Sequence, residues 1–254
     1  MISVYTISNT PSDTTILLSS PNLEDRESAV RVMAEGLEYP TNIIVLPDER
    51  IVITEQTGKT LIFNSNGTLL NTIQLPDNYF EEGAGLLGLA ADPQFTNNHF
   101  LYLYYTYTNN NDTSNISNNG SSNSNEIFNK VIRAQEKNNS LVDIQTITDN
   151  IPASKLHNGG ALKFGPDGKL YISVGDITES ELSQNLSSPA GKILRLNPNG
   201  TIPHDNPFDN SPIYSYGHRN VVGIAWDFNN NTMYATEAGS TGNDEINIIK
   251  PGDN

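Results

Sequence analysis

The chain has 254 residues, no cysteine, and 29 acidic against 14 basic side chains, for a formal charge of −15. Without cysteine there are no disulfides, thiolate metal sites, iron–sulfur clusters or cysteine nucleophiles, and without a basic patch the balance argues against nucleic acid, whose phosphates need clustered Lys and Arg. The length suits one large β domain, and no apolar run is long enough for a membrane span.

Residues 1–28 are rich in Ser, Thr, Pro and Asn and read as a disordered leader. Their start, MISVYTISNTPSDTTILLSS, lacks the basic end and apolar centre of a signal peptide. A β domain is expected over 29–254, opening with short strands at 30–34, 41–46, 50–54 and 60–63. One phrase then recurs: apolar strand, Pro/Asp/Gly/Asn turn, β-branched or aromatic strand, acidic or glycine-rich loop, further strands. It appears as NIIVLPDERIVITEQTGKTLIFN, GLAADPQFTNNHFLYLYYTYT, ALKFGPDGKLYISVGD with GKILRLN, and GIAWDFNNNTMYATEAG with DEINIIK. Four-stranded units at this spacing predict an all-β fold, a β-propeller with about four blades present. The tract 109–125, almost purely Asn, Ser and Thr, reads as a disordered loop. Helical character is confined to one or two turns at 179–186.

The stretch 157–176, HNGGALKFGPDGKLYISVGD, concentrates the chemistry. PDGK between two apolar runs predicts a hairpin. Ahead of it, His157 is followed by Asn158, Gly159 and Gly160, and glycines at a strand entrance admit a close backbone or ligand. Histidine is the side chain best suited to moving protons near neutral pH.

Five phrases in fixed order, GLLGLAADPQF, HNGGALKFGPDGKLYISVGD, AGKILRLNPNGTIPHDNPF, YSYGHRNVVGIAWD and EAGSTGNDEINII, resemble the glucose/sorbosone dehydrogenase family. The family's soluble members are quinoprotein sugar dehydrogenases on six-bladed propellers. The resemblance implies an incomplete propeller here, with the family's remaining cofactor-binding Lys and Arg in blades beyond Asn254. It implies oxidation of an aldose at its anomeric carbon by hydride transfer to pyrroloquinoline quinone, with calcium as second cofactor. His157 matches the general base, with a histidine merely held at the blade mouth as the plainer reading. Arg219 and Asn220 of GHRN match residues that contact the quinone, or else bracket a loop; His218 holds that loop. Gly239 and Ser240 match the carbonyl ligands of calcium, Ser240 standing where the family usually has Pro. Asp244 and Glu245 read as further ligands, as partners of Arg219 or as turn caps.

Two departures stand out. A soluble glucose dehydrogenase of the family has an Asp immediately before the base; Leu156 stands here, so the base is expected to lack that carboxylate. The family's substrate-contacting Gln has no counterpart in the stretch Glu81-Glu82-Gly83-Ala84. The alternative function is a non-catalytic propeller that binds a ligand or protein partner, as some relatives do. The resemblance also implies work outside the cytoplasm, on a sugar substrate, and names no electron acceptor.

Overall fold

The computed structural model describes residues 32–108 and 126–254, so the expected leader at 1–28 and loop at 109–125 lie outside the described residues. Within Ala34–Asn254, which forms one unit, runs of β-branched and aromatic residues cut by Pro, Asp, Asn and Gly fold into hairpin-linked antiparallel sheets. The first sheet sets β1 (Pro40–Val45), β2 (Ile51–Glu55), β3 (Lys59–Phe63) and β4 (Leu69–Gln74) side by side in chain order. The strand expected at 30–34 is corrected: positions 30 and 31 lie outside the described residues, and 32–34 carry no strand. The fourth member is instead β4, reached through a turn in which Asn64 Oδ1 accepts the N–H groups of Asn66 and Thr68. An outer strand covered on one face needs little apolar character, and LLNTIQ, largely exposed, gives only a faint pattern.

The second sheet contains β5 (Leu86–Ala91), β6 (Phe100–Thr108), β7 (Ile127–Lys137) and β8 (Ser140–Pro152), with a single helical turn at Phe95–Asn98 between β5 and β6. The third holds β9 (Leu162–Phe164), β10 (Leu170–Val174), β11 (Lys192–Leu196) and β12 (Ile213–Tyr216). Its opening hairpin pairs Leu162 with Ile172 and Phe164 with Leu170, turned by PDGK as expected. A 3-10 helix at Ser180–Gln184 supplies the short helical turn. The fourth sheet has three strands among the described residues, β13 (Val221–Asp227), β14 (Thr232–Glu237) and β15 (Glu245–Ile249).

The sheets stack as blades of a four-blade propeller arrangement. Their first strands are neighbours in turn, β1 beside β5, β5 beside β9 and β9 beside β13. Strand periodicity explains the packing, since alternate side chains point to opposite faces. Along β6, Leu101, Leu103 and Tyr105 enter the core shared with the first sheet, whereas Tyr102 and Tyr104 enter the core shared with the third. Along β10, Leu170, Ile172 and Val174 face the second sheet, and Tyr171 packs edge-on against Tyr214 and Trp226 in the core of the third and fourth. Both faces of these strands are covered, so each buried Leu or Ile contributes roughly 1.5–3 kcal/mol of transfer free energy.

Polar clamps tie each second strand to the chain entering its sheet. Glu55 Oε1, at the end of β2, accepts the Glu38 N–H at 2.7 Å. Thr106 Oγ1 accepts the Gly85 N–H at 3.2 Å, and Glu237 Oε1, at the end of β14, accepts the Arg219 N–H at 2.5 Å. In the third sheet the acid just past β10 is Asp176, and it reaches a side chain instead.

Candidate active site

His157 lies in the segment entering β9, and its Nδ1 sits 2.7 Å from Asp176 Oδ1. A carboxylate only accepts, so Nδ1 carries the proton and Nε2 is left as the free nitrogen. Asp176 is 4% exposed and is itself fixed, its Oδ1 accepting the Thr178 N–H at 2.9 Å and its N–H donating to the Arg219 carbonyl at 2.7 Å. Position 156 supplies no carboxylate, and the ring is held another way: its acid lies just past β10, nineteen positions on. The approach depends on Gly175, where a Cβ would lie 1.9 Å from the His157 carbonyl oxygen, and on Gly159, where one would lie 2.5 Å from the Ser173 carbonyl oxygen.

Asn158 anchors the loop on the other side. It is 2% exposed, its Nδ2 donates to the carbonyls of Gly83 and Ser154, and its Oδ1 accepts from Asn129 Nδ2 and the Ser154 N–H. Tyr104 Oη donates to its carbonyl at 2.8 Å. Next to this loop lies the stretch occupied by Glu81 and its neighbours. Lys155 Nζ donates to Glu81 Oε1 at 2.5 Å and Tyr79 donates to the other oxygen, which together hold this carboxyl below the usual carboxylate range.

GHRN enters β13 much as HNGG enters β9. His218 is 7% exposed; its Nε2 lies 2.8 Å from Ser215 Oγ and its Nδ1 lies 3.1 Å from Glu237 Oε2. It holds the loop, as the sequence indicates. Arg219 Nη1 donates to the Ala238 carbonyl at 2.8 Å, and the Ala238 N–H donates to the Asn220 carbonyl at 2.9 Å. Asn220 Oδ1 accepts the Gly159 N–H at 2.9 Å, which links this segment directly to the His157 loop. The structure therefore brings His157, Arg219 and Asn220 into one hydrogen-bonded assembly. Lys192, wholly buried, braces the segment after Asp176 by donating to the carbonyls of Leu182, Ser183 and Ala190; burial pushes its ammonium down to about 8.

Gly239 and Ser240 follow β14, adjoining the Ala238 contact. The loop is tightly wound: a Cβ on Gly239 would lie 1.8 Å from the Asn243 carbonyl oxygen. Asp244 Oδ1 accepts the Gly239 N–H at 3.0 Å, and Glu245 Oε2 accepts from Asn247 Nδ2 at 3.1 Å. Of the readings open for these acids, the turn cap describes Asp244, and neither forms an ion pair with Arg219. Among the described residues no group of three or more His, Asp or Glu side chains could hold a metal. A cation here would rest on carbonyl oxygens, and that donor set suits calcium. Among the described residues no carboxylate pairs with the Arg219 guanidinium, so its remaining donors suit an anionic or carbonyl-rich ligand.

Sequence reasoning missed Asp176, Asn158 and Glu237 as members of the site. A usable signal existed for two of them, an acid closing the second strand of its sheet in VGD and in ATE, as Glu55 closes TE in the first sheet.

Residues 37–254 match the model of the family described as Glucose / Sorbosone dehydrogenase. The chain is 34% identical over 254 aligned residues to quinoprotein glucose dehydrogenase B of Acinetobacter calcoaceticus, covering 88% of this chain and 51% of that protein. It is 29% identical to the aldose sugar dehydrogenase YliI of Escherichia coli, covering 89% and 60% respectively. Among solved structures, the PQQ-bound aldose sugar dehydrogenase of Streptomyces coelicolor superposes with a TM-score of 0.75 at 33% identity, covering 89% of this chain and 64% of that one. The chain thus spans 51% and 60% of the length of these two relatives. With the family model matching most of its length and the propeller sheets in place, the chain belongs to the glucose/sorbosone dehydrogenase family.

Proposed function

We propose that the protein is a quinoprotein sugar dehydrogenase that oxidises an aldose at its anomeric carbon. The observation that carries this reading is the His157–Asp176 pair, hydrogen-bonded through Gly159 and Asp176 to the Arg219–Asn220 segment. With Nδ1 committed to Asp176, His157 Nε2 is the nitrogen that accepts the proton of the anomeric hydroxyl. Asp176 fixes the ring's tautomer and offsets the charge the imidazole gains. Pyrroloquinoline quinone, when bound, would supply the two-electron acceptor for the hydride leaving that carbon. Arg219 and the free amide NH₂ of Asn220 would hold it, their donors suiting quinone and carboxylate oxygens. The carbonyls of Gly239 and Ser240 would hold calcium. The Glu81–Lys155 pair, lying against the His157 loop, is the polar element in the stretch where the family's sugar-contacting Gln is missing.

The family resemblance supports sugar as substrate and a location outside the cytoplasm; among the described residues no helix is long and apolar enough to cross a membrane. The test is a titration of the protein with pyrroloquinoline quinone and calcium, followed by absorbance, together with aldose-dependent reduction of a dye. A saturable shift with sugar-dependent reduction is expected. Neither shift nor reduction would favour the non-catalytic binding propeller.

A further inference from the structure

Glu237 ends β14 with 9% of its surface exposed, and both of its oxygens are engaged. Oε1 accepts the Arg219 main-chain N–H at 2.5 Å; Oε2 receives His218 Nδ1 at 3.1 Å and Asn247 Nδ2 at 3.3 Å. His218 in turn reaches Ser215 Oγ through Nε2 at 2.8 Å. A Ser–His–Glu chain has the geometry of a nucleophilic triad, but Ser215 is wholly buried in β12 and meets no substrate. The chain is a brace. What it braces is the junction of two segments, since Arg219 Nη1 holds the Ala238 carbonyl and the Ala238 N–H holds the Asn220 carbonyl. Glu237 immediately precedes Ala238 and touches His218 and Arg219, so it stands at that junction.

We infer that Glu237 is the positioning residue of this site: through the Arg219 main chain and His218 it sets the Arg219 guanidinium and the Asn220 amide toward a ligand that is anionic and rich in carbonyl oxygens. The identity of that ligand rests on the quinone reading; the positioning rests on the hydrogen bonds alone. Without the carboxylate, the Arg219 N–H and His218 Nδ1–H lose their acceptor in a buried setting. The two segments are then free to part, and the Asn220 contact to Gly159 loosens with them.

A double-mutant cycle on the protein tests this, with pyrroloquinoline quinone plus calcium as the probe. Glu237→Ala and Arg219→Ala are each expected to weaken binding roughly tenfold or more. The double variant is expected to lose clearly less than the product of the two single losses, because with the Arg219 guanidinium gone Glu237 has only the Asn220 amide left to position. Glu237→Gln keeps an oxygen for the Arg219 N–H and is expected to recover most of the affinity. Where Glu237→Ala does not fold, Glu237→Asp takes its place with the same non-additivity expected. Additive losses, or unchanged affinity in the single variant, would overturn the inference. Should the unaltered protein give no saturable response, the quinone reading fails on its own, and positioning is read from amide exchange in the Glu237 variant. Faster exchange at both Ala238 and Gly159 sustains it; unchanged exchange at both refutes it.

Discussion

Two histidine–carboxylate pairs occupy matching places in neighbouring sheets, and they differ in what is left over. His157–Asp176 and His218–Glu237 each span nineteen positions, joining the segment that enters a sheet to an acid at the end of the second strand. In the first pair the His157 side chain keeps 18% of its surface exposed and one nitrogen unengaged. In the second the His218 side chain is 8% exposed, and its other nitrogen is taken by Ser215. The same construction is therefore suited to two ends. Where the outer nitrogen is free the pair can move a proton, and where it is bonded the pair holds a loop.

Replacing the two histidines is the strongest way to break this contrast. His157→Ala is expected to lower aldose-dependent turnover by roughly two to four decades, the range lost with a general base. Stability should fall by only about 1 kcal/mol, since the His157 side chain is partly exposed and buried Asp176 keeps the Thr178 N–H as a donor; normal turnover would remove His157 from the chemistry. Asp176→Asn should cost roughly tenfold or more in turnover, short of the His157→Ala loss, because an uncharged partner no longer favours the protonated ring. A steady-state assay across a sugar series reads this directly, and an unchanged rate would reduce Asp176 to a cap on Thr178. His218→Ala should act on the fold instead, lowering stability by about 1–3 kcal/mol because Glu237 and Ser215 lose a buried partner. The denaturant midpoint checks it, and an unmoved midpoint would contradict the bracing role. Ser215→Ala is the mildest change, expected to cost about 0.5–1.5 kcal/mol by the same measurement.

The propeller was legible because its cause is local. Alternation in HFLYLYYTYT and KLYISV, and turn chemistry in PDGK, act over a few residues and need no tertiary knowledge. β4 was missed because an outer strand bears little apolar selection, and the apolar-looking VRVMA earlier in the chain drew the expectation of a fourth strand instead. The site was half legible. His157, Arg219 and Asn220 stand in recognisable phrases and do meet in space. Their partners were not, because Asp176 and Glu237 reach them only once two strands of a sheet have paired and returned. An acid in the residue before His157 is a one-dimensional signal, whereas an acid nineteen positions later is a consequence of the fold. Gly175 looks like an ordinary loop glycine until the His157 carbonyl lies where its side chain would be.

The most direct measurement is the tautomer of the two imidazoles in the unliganded protein, read from ring nitrogen shifts and two-bond proton couplings by NMR. The account predicts that His157 carries its proton on Nδ1 and presents a bare Nε2, while His218 has both nitrogens in hydrogen bonds. A His157 ring protonated on Nε2 with Nδ1 bare could not donate to Asp176, and would contradict the division of labour between the two pairs.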